Sequence, residues 1–285
     1  MHIHPIRIHH DDTPVALVLG TGDIASAIAR TLFKAGWGAV MLRDAAVPVL
    51  RRGMAFDDAL EDGVAELDGV WGVRALEPET LPALARGREA VVLARSDLAV
   101  VAGSCRGVTS VLIDARVRKY AVPADLRLLA PCTIGIGPGF TAGENVDTAI
   151  ETLPGQEGDL VMHGPTAAPT GRSVLLGDAR EERFACAVMG GPWRPCVTLG
   201  TQVEAGALIG WLGKHEVRAP IDGCVRGMVR ASPGGVARGS KLAEIDPRPG
   251  APWTGVPPRA QRIASGVQRA LAVLLLPVRP MLAAE

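Results

Sequence analysis

Val15 to Ala29, VALVLGTGDIASAIA, is the stretch that most limits how this chain can fold. An apolar run of β type breaks at Gly20-Thr21-Gly22 and resumes as small and apolar residues in helical spacing. The G-x-G-x-x-A order at Gly20, Gly22 and Ala25 falls where a strand hands over to a helix, the context of a dinucleotide-binding turn. Gly20 permits the tight turn, Gly22 lets backbone amides approach a phosphate, and Ala25 lets the helix lie close on the strand. Thr21, Asp23 and Ile24 complete the corner, where the orphan amides of a helix start carry partial positive charge. The same turn also serves packing alone in sheets that bind no nucleotide, and both readings stand.

Further runs extend the sheet. AGWGAVML reads as a second strand after a helix stop at Gly36, ending at Arg43-Asp44 about twenty residues beyond the glycines. An acid there, Asp44, suits a ribose hydroxyl and an arginine suits an extra phosphate; both also occur as ordinary polar residues closing a strand. Arg51 and Arg52, after a proline turn, either reach back toward a bound anion or start a solvated helix. Trp71 to Ala85, with Pro78 and Pro82, reads as a connecting helix or loop. EAVVLAR (Glu89 to Arg95) and TSVLIDAR (Thr109 to Arg116) are continuous apolar runs, suited to a parallel sheet buried on both faces. Asp114, Arg116 and Lys119 then fall at a carboxyl end, where ligands of such sheets collect. A second glycine stretch, CTIGIGPGFTAGENVDTAIET, leads into Gly137-Pro138-Gly139-Phe140-Thr141-Ala142-Gly143. It reads as a second turn whose backbone closes on a phosphate, with Asn145 and Asp147 capping a helix over DTAIET.

From Phe184 the pattern changes to short β pieces between glycines and prolines. GGPWRPCVTLGTQVEAGALIGWL runs parallel to DGCVRGMVRASPGGVARGSKLAEI, with Gly191, Gly200 and Gly206 matching Gly223, Gly234 and Gly239. Two such copies are expected to interlock into one flattened barrel, since neither buries a face alone. VRAPIDG opens the second copy as biotinyl/lipoyl-like domains open theirs, but Lys214 at the intervening tip has no Met beside it, so neither biotin nor lipoate is expected. Apolar residues at Ile263, Val267, Leu271 and Leu275 mark a helix from about Pro258 to Leu276 that packs back on the first domain.

Lys+Arg and Asp+Glu are 30 each, which gives no reason to expect nucleic acid or an anionic membrane as a partner. Five scattered cysteines without a C-x-x-C pair point to reduced thiols in a cytoplasmic setting and to no metal site. The start, MHIHPIRIHHDD, lacks the apolar core of a signal peptide and reads as a frayed His-rich tail. The fold expected is α/β. Residues 1–14 form a flexible leader, 15–180 a Rossmann-like parallel-sheet domain, 181–248 a small barrel-sandwich hybrid, and 249–285 a linker and C-terminal helix.

Taken together, GTGDIASAIA, GPGFTAGENVDTAIET, HGPTAAPTG and RPCVTLGTQVEAGALIG…VRAPIDGCVRGMVR…IDPR resemble YqeB-type proteins, predicted accessory factors of selenium-dependent molybdenum hydroxylases. The first half is also similar to XdhC-type maturation factors of xanthine and carbon monoxide dehydrogenases. The resemblance covers roughly Val15 to Arg248. It implies a protein that binds a molybdopterin-type or nucleotide cofactor and assists its modification or insertion into a molybdenum hydroxylase apoenzyme. One departure is that Arg43 stands where an acid is usual, with Asp44 after it; another is that the N-terminal cysteine segment of XdhC factors has no counterpart here. Two other functions compete. On the glycine turn alone the chain also reads as an NAD(P)-binding oxidoreductase, with Tyr120 beside Lys119 as its one candidate proton-transfer group, and its β half reads as a docking module for a client enzyme. A homo-oligomer is left open, and no hydrolase triad is evident.

Overall fold

The run Val15–Leu19 forms strand β1 with all five side chains buried. Alternate residues of a strand point to opposite faces, so burial of a continuous run requires cover on both sides. Ala16 and Val18 meet one core with Ile24 and Ile28, whereas Val15, Leu17 and Leu19 meet the other with Leu81 and Val101. In the computed structural model, which describes residues 13–44 and 48–275, the strands in chain order begin with β1, β2 (Gly38–Leu42), β3 (Val64–Leu67), β4 (Val70–Arg74), β5 (Val91–Ala94) and β6 (Thr109–Asp114). They continue with β7 (Thr133–Ile136), β8 (Thr141–Ala142), β9 (Thr148–Ile150), β10 (Leu160–Val161) and β11 (Gly164–Pro165). Among them run helices α1 (Asp23–Lys34), α2 (Ala59–Asp62), α3 (Leu81–Gly87) and α4 (Leu98–Ser104). Nine strands make one sheet in the order β10-β9-β7-β6-β1-β2-β5-β4-β3.

That sheet is mixed, which corrects the expectation of a Rossmann-like parallel domain. At one edge β3 runs antiparallel to β4 through a two-residue turn at Asp68-Gly69, whose φ angles of 45° and 79° suit the right-handed twist of a hairpin. Part of the expected connection after Trp71 is therefore strand. At the other edge DTAIET forms β9 instead of a helix, because Asp147 is spent holding it beside β7: its Oδ2 accepts from both the Thr133 amide and hydroxyl at 2.7 Å. β10 then folds back antiparallel to β9.

The second half has β12 (Phe184–Cys186), β13 (Gly191–Pro195), β14 (Gln202–Val203), β15 (Leu208–Leu212), β16 (His215–Arg218), β17 (Gly223–Met228), β18 (Ser232–Val236) and β19 (Lys241–Asp246). These form two four-stranded antiparallel sheets, β12-β19-β17-β14 and β16-β15-β13-β18. The barrel-sandwich hybrid expected from the repeat is corrected accordingly. The copies do trade strands, β14 to β17 and β18 to β13, but they build two sheets around a core of Trp193, Ile209, Val225, Leu242 and Ile245. Lys214 lies in the turn from β15 to β16. Helix α5 (Pro258–Leu275) lays Ile263, Ala264, Val267 and Leu271 into the core that α1 also enters. The expected leader falls almost wholly on 1–12, and the end of the chain on 276–285, outside the described residues.

The segment before α2 ties the two halves together. Leu50 O accepts the Met228 amide at 2.8 Å and Arg52 Nε donates to Met228 O at 2.9 Å, so residues 50–52 are held against β17. Arg51 is thereby fixed where the carboxyl end of β1 faces β19.

Candidate functional site: a basic cleft at the glycine turn

Gly20 takes φ +105°, a conformation side chains rarely adopt, and donates its amide to Leu42 O at 2.7 Å. A Cβ there would stand 3.2 Å from Ala115 O, so the ends of β1, β2 and β6 converge on this glycine. Gly22 is the N-cap of α1, and a Cβ on it would meet nothing within 4 Å. That open side faces a recess of about 350 Å³ lined by Gly20, Thr21, Gly22, Asp23, Ile24, Asp44 and Arg116. A second recess of about 420 Å³ adjoins it, sharing Asp23, Ile24, Arg51, Val117, Phe184 and Lys241. Together they make one cleft between the nine-stranded sheet and the β half.

The second recess is strongly basic. Arg51, Lys119, Arg172, Arg183, Arg226, Lys241, Arg248, Arg259 and Arg262 line it against only Asp23 and Glu151. Glu151 is buried and already accepts three amides, those of Thr152, Leu153 and Ala167, at 2.6 to 2.9 Å. Behind the wall, two fully buried carboxylates of β19 each hold two arginines. Glu244 takes Arg51 at 2.7 and 3.0 Å and Arg183 at 2.9 Å; Asp246 takes Arg226 at 3.0 Å and Arg248 at 2.7 Å. Burial by itself would raise the Glu244 carboxyl, but the Arg51 charge and the hydrogen bonds from Arg51 and Arg183 outweigh it and hold it at about 2. For Lys241 burial works the other way and, with Lys119 close, pushes the ammonium below its ordinary range. Phe184 carries a cation on its ring from each of two neighbours, Lys241 at 3.4 Å and the Arg183 guanidinium at 4.4 Å from the centroid.

The residues singled out from the sequence divide between this cleft and the frame behind it. Thr21 lines the mouth, but its hydroxyl donates to Asp57 Oδ1 at 2.5 Å, and Asp57 in turn takes Arg43 at 2.6 Å. Asp23 accepts from Arg51 at 2.9 Å. Asp44 is paired with Arg118 at 2.6 and 2.7 Å, and Asp114 is buried and chelated by Arg116. Lys119 reaches the second recess.

Of the second glycine stretch only Pro138 lines the cleft. The Gly137 amide goes to Ile150 O, Thr141's to Asn145 Oδ1 and Gly143's to Val146 O, all at 2.8 or 2.9 Å. Gly139 O accepts from Asn145, and the buried Phe140 ring covers Gly135, where a Cβ would stand 2.1 Å from ring carbon Cγ. Gly139, Phe140, Thr141 and Gly143 thus shape the protein's own turn and are not brought to the cleft. Tyr120 is 80% exposed and lines neither recess.

Sequence reasoning missed Arg183, Arg226, Lys241, Arg248 and Arg259. No local motif marks them, because each stands singly in the sequence: Arg183 just before β12, Arg226 on β17, Lys241 at the start of β19, Arg248 just after it and Arg259 on α5, gathered only when these segments close over β1. Among the described residues, no group of three or more His, Cys, Asp or Glu is placed to hold a metal ion. No helix among them is long and apolar enough to cross a membrane.

No family model matches the chain. Among curated proteins it is similar to the uncharacterized protein YqeB of Escherichia coli K12, at 34% identity over 274 residues that cover 94% of this chain. The chain is a relative of YqeB. It spans about half of that protein, 49% of its length. Among solved structures, a succinylglutamate desuccinylase/aspartoacylase from Rhodobacter sphaeroides aligns at 14% identity and a TM-score of 0.27, covering 84% of this chain and 87% of that one. An aspartoacylase family protein from Mesorhizobium loti aligns at 12% identity and a TM-score of 0.28, with the same coverage. Neither is described as a Rossmann, lipoyl-type or cofactor-maturation protein, and at these TM-scores the two superpose poorly on this chain.

Proposed function

We propose that the chain binds a phosphorylated cofactor of molybdopterin or nucleotide type in the basic cleft, and acts as an accessory factor that presents it to a molybdenum hydroxylase apoenzyme. One observation carries the reading: in a chain with equal numbers of acidic and basic residues, nine basic side chains gather on one recess that opens onto the glycine turn of α1. Arg51, Arg183, Arg226, Arg248 and Arg262 are already ion-paired, but with only Asp23, Glu244, Asp246 and Glu157, so the wall keeps an excess of positive charge that would attract a polyanion. The client, including the selenium-dependent class that the YqeB-type resemblance implies, is part of the proposal. The competing NAD(P) oxidoreductase draws no support from Tyr120, which is exposed and lines neither recess.

Calorimetric titration of the purified protein with molybdopterin cofactor and with nucleotides tests this. Gly22→Asp has room for its side chain, so the variant should fold while its carboxylate repels phosphate at the mouth. Stoichiometric binding by the native protein that Gly22→Asp loses is the expected result; undiminished binding by the folded variant overturns the proposal.

A further inference from the structure

Beside the mouth at Gly22, the deeper recess has a polar demand of its own. Arg226 is 5% exposed and lines the recess, and its Nε has no hydrogen-bond partner among the described residues. Arg259, at the first turn of α5, is in the same condition: its Nη2 donates to Thr152 O at 2.7 Å while its Nε is buried and unpartnered. An orphaned guanidinium N–H costs about 1–3 kcal/mol, a deficit that a native interior seldom carries without a use. The nearby carboxylates are committed to other arginines: Asp246 is shared between Arg226 and Arg248, and Arg259 hydrogen-bonds only a carbonyl, while Asp23 and Glu157, which act on its charge, are paired with Arg51 and Arg262. Burial, its largest cause, pushes the guanidinium of each of these two arginines below its ordinary range, as expected for cations short of counter-charge.

We infer that this recess is a second oxyanion subsite, built on Arg226 and Arg259, and that the ligand carries two separated anionic groups, one at the Gly22 turn and one here. The inference rests on the proposed reading of the cleft and narrows the ligand to a bis-anionic one, such as a phosphorylated pterin bearing a further nucleotide phosphate. A planar ring system between the two groups would pass Phe184 and Val117, which line both recesses.

Equilibrium dialysis with radiolabelled inorganic phosphate counts the subsites on the full chain. Native protein should take up two phosphates per chain, Gly22→Asp one, and Arg259→Met one, each variant being checked by circular dichroism. Arg248→Met, at a partly exposed side chain on the same wall, serves if Arg259→Met does not fold, and should weaken the second phosphate about tenfold or more. A single phosphate lost in Gly22→Asp and kept in the arginine variants overturns the second subsite and leaves the mouth standing. A single phosphate lost in the arginine variants and kept in Gly22→Asp overturns the reading of the glycine turn instead, and no uptake overturns both.

Discussion

Glu244→Gln removes one negative charge from the centre of the arginine cluster without changing the shape of the side chain. The carboxylate is fully buried, Arg183 is 1% exposed, and Arg51 bridges from Glu244 to Asp23. A carboxyl held at about 2, against an ordinary 4.5, contributes on the order of 3 kcal/mol to folding at neutral pH. Because the folded value is depressed, that contribution is complete above the ordinary value and is lost as pH falls from about 4.5 through about 2. The variant should therefore be about 3 kcal/mol less stable at pH 7, and should show a shallower decline in acid than the native chain. Urea unfolding at a series of pH values reads both quantities, in a buffer without phosphate or sulfate, whose binding would stabilise the folded state. A Glu244→Gln protein as stable as the native one at pH 7, or with an unchanged acid decline, would refute the reasoning.

Three further outcomes follow from the geometry. Phe140→Ala empties the cover over Gly135 and should cost about 3–5 kcal/mol in urea unfolding while phosphate uptake by the folded protein is unchanged; altered uptake would return the second glycine stretch to the site. Gly20→Ala forces a side chain into φ +105° beside Ala115 O and should destabilise by about 1–3 kcal/mol in the same assay, whereas Gly22→Ala, facing open space, should stay within about 0.5 kcal/mol. In alkylation followed by mass spectrometry, the exposed Cys186 and Cys196 should label first. Cys132, pushed up to about 12 mainly by burial, should label only on unfolding, as should the buried Cys105 and Cys224, and early labelling of Cys132 would contradict the packing around β7.

Much of the sheet was legible because its signals are local. Val15–Leu19, Val91–Ala94 and the Val111–Ile113 centre of β6 are continuous apolar runs, and these are what a strand covered on both faces requires. The mixed edges were harder. Asp68-Gly69 between Val64–Leu67 and Val70–Arg74 is a hairpin signal that stands in the sequence, while the prolines after Trp71 suggest a connection and mask the second of its strands. Asp147 suits a helix cap at the start of DTAIET, and only its position beside Thr133 in the fold shows that its hydrogen bonds go sideways to β7. At the site the glycine turn is visible in the sequence, and so is the option that Arg51 reaches an anion. The remainder of the basic wall is not, because Arg183, Arg226, Lys241 and Arg259 lie far apart in the chain and each alone looks like solvated charge. The Gly137–Gly143 stretch misled in the opposite sense: glycines chosen to fit Phe140, Thr152 and Asn145 resemble glycines that leave room for a ligand.

Mass spectrometry of the small molecule released from the protein, purified anaerobically from cells that are maturing a molybdenum hydroxylase, tests the central claim most directly. A phosphorylated pterin or nucleotide, recovered stoichiometrically from the native chain and absent from Gly22→Asp, is the result this account predicts. Release of a neutral molecule, or an equal yield from both proteins, would contradict it.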